Sequence, residues 1–164
     1  MSTDQAIRSQ LRNSLQGGEA FDRVESILQE IPVERRFEVP TGAERSAWQI
    51  LEHMRLSLED LVQFSDNAAG TYQERDWPEG YWPKEPDPYD AEAWDASHKG
   101  FLTARNAMEQ LIADPRCCLT EVFPWGDGQT LLREALLAIQ HTSYHAGELV
   151  ELARMLGPLG PGAL

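Results

Sequence analysis

Apolar residues recur every three or four positions along most of the chain, the spacing that places them on one face of an α-helix. No segment shows the alternation of apolar and polar residues that is typical of a half-buried β-strand. A short amphipathic helix is predicted in DQAIRSQLRNSLQ, where Gly17 and Gly18 end it. A second helix is predicted in EAFDRVESILQEI, from Phe21 to Ile31, because Pro32 cannot continue it.

Capping signals predict where the third and fourth helices begin. In TGAE, Thr41 and Glu44 fit a capping box, in which each side chain satisfies an early backbone N–H group. The third helix is predicted to run from there to about residue 64. The fourth follows DPYD, with Asp87 as N-cap and Pro88 in the first turn, and it ends before Pro115.

The last predicted helix begins around residues 128–130 and ends at residue 155 or 156, before Gly157 and Pro158. The chain thus has four substantial helices after a short N-terminal one. We therefore predict an all-α fold of the helical-bundle type, formed by residues 1–164 as a single domain.

One long irregular segment, residues 66–90, connects the third and fourth predicted helices. A connection of this length inside a compact domain is usually functional or disordered. Its stretch DWPEGYWPKEPDPYD is rich in proline and contains four aromatic residues, which favour an ordered segment packed on the bundle: Trp77, Tyr81, Trp82 and Tyr89. The sequence leaves two interpretations open, a plain crossover between helices or a lid that faces a substrate.

The charge balance excludes some classes of partner. The chain has 27 acidic against 14 basic residues and a net charge of −13, which argues against nucleic acid and anionic membranes. No apolar run approaches the roughly 20 residues that cross a bilayer. The polar start of the chain, MSTDQAIRSQLRNSL, has no signal-peptide core, so we expect a cytoplasmic protein.

Two histidines in HTSYHAGEL are the first candidates for chemistry. His141 and His145 lie four residues apart, about 40° around a helix, so both rings can reach one point. His145 falls within the apolar stripe and His141 lies at its edge. An unpaired buried polar group costs on the order of 1–3 kcal/mol, and a metal ion would satisfy both rings at once. The alternative is a pair of ordinary polar residues on a solvated face.

His53, at the edge of the apolar stripe of the third helix, can reach this pair across the bundle. Three neutral imidazoles with an open fourth position are typical of a catalytic zinc site, and they also suit nickel or iron. His98 lies on the flank of the fourth helix and is not included.

Glu148 shares the face of the two histidines and has four interpretations from sequence. It is a fourth ligand, an acceptor for an imidazole N–H group, a base, or a carboxylate with no such role. Glu134 is a weaker candidate on the same face. Glu52 points about 100° away from its neighbour His53, so we expect it to be solvated.

The segments SAWQILEHM and HTSYHAGEL, with the helical pattern between them, resemble the DinB-like family, also called DinB/YfiT-like. The resemblance extends from about Phe21 to Leu156. It implies a four-helix bundle with a long crossover, and His53, His141 and His145 as ligands of a divalent metal ion. Zinc or nickel is expected first, with manganese or iron as alternatives.

The same resemblance bears on two further residues and on function. Gly147 matches a small residue of the family motif, which would let a neighbouring helix approach closely. Glu148 stands where many members have glutamine, and we assign it to the catalytic group. Some members resemble transferases that activate a low-molecular-weight thiol, and many relatives are homodimers. The chain is therefore expected to be a metal-dependent thiol S-transferase or a related hydrolase.

A non-catalytic bundle remains the alternative, either as a small-molecule binder or as a stress-response protein with a structural metal or none. Coordination discriminates between the two. A structural zinc site is closed by a fourth protein ligand, for which Glu148 is the nearby candidate, whereas a catalytic site keeps a position open.

Overall fold

The computed structural model describes residues 2–83 and 90–157. These residues form five α-helices and two short 3₁₀ helices, at Val33–Arg35 and Glu79–Tyr81. The α-helices are α1 (Thr3–Gln16), α2 (Val24–Gln29), α3 (Ala47–Ser65), α4 (Ala91–Ala113) and α5 (Leu131–Leu156). The described residues contain no β-strand, so the predicted all-α class is confirmed. No described helix has both the length and the apolar character that crossing a membrane requires.

Helices α3 and α4 run parallel to each other. Trp48, near the start of α3, donates from Nε1 to the hydroxyl of Ser97, near the start of α4, at 3.1 Å. Helix α5 runs antiparallel to α3, because Trp125, just before α5, donates to the carbonyl of Phe64 at the end of α3. The connection between the parallel helices must therefore return along the length of α3, about 28 Å for its 19 residues.

The core lies between the long helices, and its burial supplies most of the driving force for folding. Its largest fully buried side chains include Leu51 and Met54 of α3, Phe101, Met108 and Ile112 of α4, and Leu131, Leu149 and Leu156 of α5. Leu15 of α1 and Val24 of α2 are equally buried.

The N-terminal helix contributes more to the bundle than a short leader would. Helix α1 packs against α4 and α5. The buried guanidinium of Arg8 donates to the carbonyls of Ile112, Asp114 and Cys117, at 2.7, 3.0 and 2.8 Å. These bonds satisfy the carbonyl of Ile112 in the last turn of α4 and tie down the segment that follows the helix. The four long helices are therefore α1, α3, α4 and α5.

The second helix is shorter than predicted. Helix α2 covers six residues, and residues 18–21 before it form a bend rather than the first turn of a helix. The amide of Gly18 donates to the carbonyl of Phe21 at 2.6 Å, and both Gly17 and Gly18 have positive φ angles. The prediction from Phe21 to Ile31 is therefore too long by three residues at its start and by two at its end.

The capping box predicted at Thr41 and Glu44 is wrong. The third helix begins at Ala47, and the capping box is formed by Ser46 and Gln49, whose side chains each accept from the other's backbone N–H group. Gly42 adopts φ +94°, which is outside the helical region, so a helix cannot run through it. The same four-residue spacing occurs twice in this segment, and the second occurrence is the one used.

The predicted end points of the later helices hold where the structure describes them. Helix α4 begins at Ala91, and Asp90 caps it by accepting from two backbone N–H groups. The predicted cap at Asp87 and Pro88 lies outside the described residues. Helix α5 begins after Thr130, whose hydroxyl accepts from the N–H of residue 133, and it ends at Leu156 as predicted.

An ion-pair network fastens α3 to α4. Arg55 lies between Glu52 and Glu59 and donates to both carboxylates at 2.6–2.8 Å. Glu52 also accepts from the hydroxyl of Ser97 on α4 at 2.7 Å, so the expectation that Glu52 is solvated is wrong. The stem of Arg55 lies against Gly100, where a Cβ atom would stand only 2.3 Å from Arg55 Cδ. Glycine at position 100 therefore permits the close packing of these helices.

Candidate metal centre

Three histidines from two helices meet in the interior of the bundle. His53 comes from α3, and His141 and His145 come from successive turns of α5. One ring nitrogen from each lies within 4.8 Å of the others, and the Nε2 atoms of His53 and His141 are 3.0 Å apart. His53 and His145 are buried and His141 is half-buried. The cluster is the one predicted from sequence.

Acceptors behind two of the rings determine which nitrogen carries the proton. His53 Nδ1 lies 2.7 Å from the carbonyl oxygen of Tyr81, which can only accept, so Nδ1 is the donor. His145 Nδ1 lies 2.5 Å from the carboxylate of Glu148 and donates to it in the same way. In the neutral rings, Nε2 of His53 and of His145 is therefore left with a free lone pair. Such acceptors are typical partners of metal-binding histidines.

The three imidazoles are neutral at physiological pH. Burial, together with the neighbouring rings of His145 and His53, lowers the pKa of His141 to about 3. Burial and the proximity of His53 lower the pKa of His145 to about 4. Burial also lowers the pKa of His53, although its hydrogen bond to Tyr81 acts in the opposite direction. Neutral imidazole is the form that binds metal ions.

The donor set fits a divalent transition-metal ion. A zinc–nitrogen distance of about 2.1 Å in tetrahedral geometry puts the ligand atoms roughly 3.4 Å apart. The 3.0 Å separation of the two Nε2 atoms is close to that value, and the third nitrogen lies within the 4.8 Å limit of the group. Among the described residues, no cysteine, aspartate, glutamate or further histidine joins the three. The group therefore has the composition of an open site rather than a closed one.

One face of His53 is covered by Trp82 of the crossover, which in turn is covered by Arg45 from the segment before α3. The ring of Trp82 stacks on that of His53, with centroids 3.8 Å apart and planes 3° from parallel. On the far side of Trp82, the guanidinium of Arg45 lies 4.4 Å from the centroid of the indole ring. The arrangement is a three-layer stack of imidazole, indole and guanidinium, and it shields one face of His53 from water.

The crossover is attached to α3 by a buried carboxylate. Asp60 accepts from the hydroxyls of Tyr72 and Tyr81, at 3.2 and 2.8 Å. Burial and the charge of Asp60 raise the pKa of Tyr72 to about 12 and raise that of Tyr81 as well, so both hydroxyls remain protonated donors. The crossover thus lies along α3 and passes over the histidine cluster.

A cleft of about 640 Å³ opens beside the cluster, between the segment before α3 and the last turns of α5. Its walls include His145, Glu148, Tyr144, Arg45 and Trp82. The edge of Tyr144 meets the ring of His145 at 90°, with centroids 4.9 Å apart. Partial burial raises the pKa of Glu148, which stands between this cleft and His145. The cleft gives a small molecule room to approach the cluster.

Comparison with known proteins identifies the family. The profile of the DinB superfamily matches residues 16–149, which is most of the chain. The chain belongs to the DinB superfamily. No curated protein and no solved structure matches it. The resemblance inferred from SAWQILEHM and HTSYHAGEL is therefore confirmed, and a three-histidine cluster in a DinB-superfamily bundle is compatible with a metal-binding enzyme.

Of the three other candidate residues of this DinB-superfamily chain, one contacts the histidine cluster and two do not. Glu148 contacts it, because its carboxylate accepts from His145 Nδ1. This geometry matches the interpretation of Glu148 as an acceptor for an imidazole N–H group. Its catalytic role stays a prediction. Glu134 is fully buried and pairs with Arg133, and it does not belong to the cluster. His98 lies on α4, also outside the cluster.

The prediction that Gly147 lets a neighbouring helix approach closely is wrong. A Cβ atom at this position would have no atom within 4 Å, and Gly147 lines the cleft instead. A small residue there keeps the cleft wide next to His145. Of the two arginines that flank His53 in sequence, Arg45 reaches the cleft, whereas Arg55 belongs to the α3–α4 interface.

Sequence reasoning missed two groups of this DinB-superfamily centre. The acceptor for His53 is a main-chain carbonyl, and a carbonyl has no signature in a sequence. The sequence marks Trp82 only as one aromatic residue of the crossover, and no neighbouring residue indicates which ring it covers. Of the other crossover aromatics, Trp77 is 77% exposed and Tyr89 lies outside the described residues.

Proposed function

We propose that this protein is a divalent-metal-dependent enzyme, a low-molecular-weight-thiol S-transferase or a related hydrolase. The observation that carries the proposal is the open set of three neutral imidazoles beside a cleft large enough for a small molecule. A closed structural site would require a fourth protein ligand. The carboxylate of Glu148, the nearby candidate for that ligand, is engaged by the outer nitrogen of His145.

In this proposal His53, His141 and His145 hold the ion, and zinc or nickel suits their nitrogen donors best. When bound, such an ion supplies a Lewis acid that stabilises an anionic sulfur or oxygen nucleophile at neutral pH. The Tyr81 carbonyl and Glu148 orient two of the imidazoles, and Trp82 excludes water from one face of His53.

Arg45 supports an anionic group on the substrate. Its guanidinium lines the cleft and lies over Trp82, and within residues 2–83 and 90–157 it forms no ion pair with a carboxylate. Arg45 is the only lysine or arginine among the described residues that line the cleft. The same walls also carry three carboxylates, those of Glu44, Glu148 and Glu151. A thiol that carries a carboxylate would place that group on Arg45 and its sulfur toward the histidines.

The first test is metal content. Untagged protein is incubated with zinc, nickel, manganese or iron(II), freed of excess ion, and measured by inductively coupled plasma mass spectrometry. About one ion per chain is expected in the wild type. His53→Ala is expected to lose it, and His98→Ala, which removes a histidine outside the cluster, is expected to retain it.

Activity is tested next, with the loaded protein and a panel of thiols and electrophiles. Thiol-dependent loss of electrophile that disappears in His53→Ala but persists in His98→Ala supports the transferase. Retention of the ion in His53→Ala contradicts the ligand assignment. If the wild type takes up no metal, the result supports the alternative hypothesis, a non-catalytic bundle that binds a small molecule in its cleft.

A further inference from the structure

Asp60 is a buried carboxylate on α3, and both of its oxygens accept hydrogen bonds from residues of the crossover. Oδ1 accepts from the hydroxyl of Tyr72 at 3.2 Å, and Oδ2 accepts from the hydroxyl of Tyr81 at 2.8 Å. Only 7% of Asp60 is exposed. A buried carboxylate is costly unless it is hydrogen-bonded, and bonds to a charged acceptor are among the stronger ones. Both tyrosines are therefore held at defined positions along α3.

Tyr81 connects this carboxylate to the histidine cluster. Asp60 follows His53 by seven residues, which on a helix is about 10.5 Å along the axis and about 20° around it. The two side chains thus share a face, and Tyr81 spans the distance between them. Its hydroxyl reaches Asp60, while its carbonyl oxygen lies 2.7 Å from His53 Nδ1. The next residue, Trp82, stacks on the same imidazole.

We propose that Asp60 and Tyr81 are positioning residues for His53, a role that rests on the proposed function of the histidines as metal ligands. The carboxylate anchors the side chain of Tyr81, and the anchored main chain presents its carbonyl oxygen to Nδ1. The proton of His53 is thereby kept on Nδ1. The lone pair of Nε2 is directed at the point shared with His141 and His145.

The chain offers a matched pair of variants. Tyr81→Phe and Tyr72→Phe each remove one hydroxyl from the same buried carboxylate. The two tyrosines differ in what their main chains bind. The carbonyl oxygen of Tyr81 accepts from His53 Nδ1, whereas the backbone amide of Tyr72 donates to the side chain of Asn67. A purely structural role for these hydroxyls would affect the two variants alike, and thermal unfolding measures that shared effect.

Two readouts separate positioning from stability. Long-range ¹H–¹⁵N spectra of the metal-free protein report the tautomer of His53, whose signals are assigned by their loss in His53→Gln. We expect the Nδ1–H tautomer in the wild type and Tyr72→Phe, and a mixture in Tyr81→Phe. Zinc competition with a chromophoric chelator is expected to show about tenfold weaker binding in Tyr81→Phe and a change of less than about twofold in Tyr72→Phe.

Either of two results overturns the proposal: an unchanged His53 tautomer in Tyr81→Phe, or equal changes in tautomer and zinc affinity for both variants. The failure of the proposed function looks different, because the wild type then binds no zinc at all. In that case the tautomer spectra of the metal-free proteins still decide whether Asp60 and Tyr81 position His53.

Discussion

Replacing Glu148 with alanine tests how the carboxylate beside the cluster acts. Glu148 follows His145 by one helical turn, and its Oε2 accepts from His145 Nδ1 at 2.5 Å. Removing the carboxylate leaves this N–H group without its acceptor. The imidazole is then free to rotate or to move its proton to Nε2, the nitrogen that faces the other two rings. We expect Glu148→Ala to bind zinc more weakly and to fold normally.

The structure sets the size of the effect. A hydrogen bond to a charged group contributes about 1.5–3 kcal/mol. The Glu148 side chain is 39% exposed, so water replaces part of the lost interaction and the lower end of the range applies. A loss of about 1.4 kcal/mol corresponds to a tenfold increase in the dissociation constant. Glu148→Gln keeps an oxygen acceptor and loses the charge, so we expect an increase of about threefold.

Zinc dissociation constants are measured by competition with a chromophoric chelator at constant pH. Glu151→Ala is the matched control, because Glu151 lines the same cleft on the same helix but pairs with Arg154 rather than with a histidine. A loss of affinity of a thousandfold or more in Glu148→Ala would identify the carboxylate as a direct ligand. Unchanged affinity would refute the orienting role, and with turnover lost it would indicate a base.

Three further predictions concern the bundle. Gly100→Ala is expected to destabilise the protein by about 1–3 kcal/mol in urea unfolding, because the added methyl group overlaps Arg55, which its ion pairs hold in place. Gly147→Ala, with nothing within 4 Å, is expected to stabilise α5 by about 0.5–1 kcal/mol in the same assay. The third is that the stability of Glu25→Gln falls less steeply with acid than that of the wild type. Burial acts to raise the pKa of Glu25, but the ion pair with Arg105 outweighs burial, so the pKa of Glu25 in the folded protein is lowered. The carboxylate therefore stabilises the fold above its unfolded-state pKa of about 4.5, and this stabilisation is lost as the pH falls from there through the lower folded-state pKa.

Most of the helical framework could be predicted because its signals are local. The end of α5 is marked by Gly157, and the buried face of α4 follows from the spacing of its apolar residues. The errors occur where two local signals compete. Ser46 and Gln49 repeat the capping pattern of Thr41 and Glu44. The positive φ angle of Gly42 excludes a helix that starts at Thr41, and this angle is not evident from the local sequence.

The part of the candidate centre that lies on a single helix could be predicted from the spacing of its residues. His141, His145 and Glu148 lie on one face of one helix, so their spacing alone brings them together. His53 required the additional premise that α3 faces α5. The contacts of the crossover could not be predicted, because Tyr81 reaches His53 across 28 residues through a main-chain atom. Such a contact depends on the path of the whole segment rather than on any residue within it.

Burial of the histidines between α3 and α5 contributes to the proposed chemistry as well as to packing. An exposed histidine with a pKa of about 6.5 is roughly one-quarter protonated at pH 7, and each proton must leave before a metal ion can bind. With a pKa of about 4, as burial produces for His145, the protonated fraction at pH 7 is about one in a thousand. The bundle therefore removes the proton as a competitor before any ion arrives. The crossover then orients the ring that α3 supplies, so packing and ligand geometry in this centre depend on the same contacts.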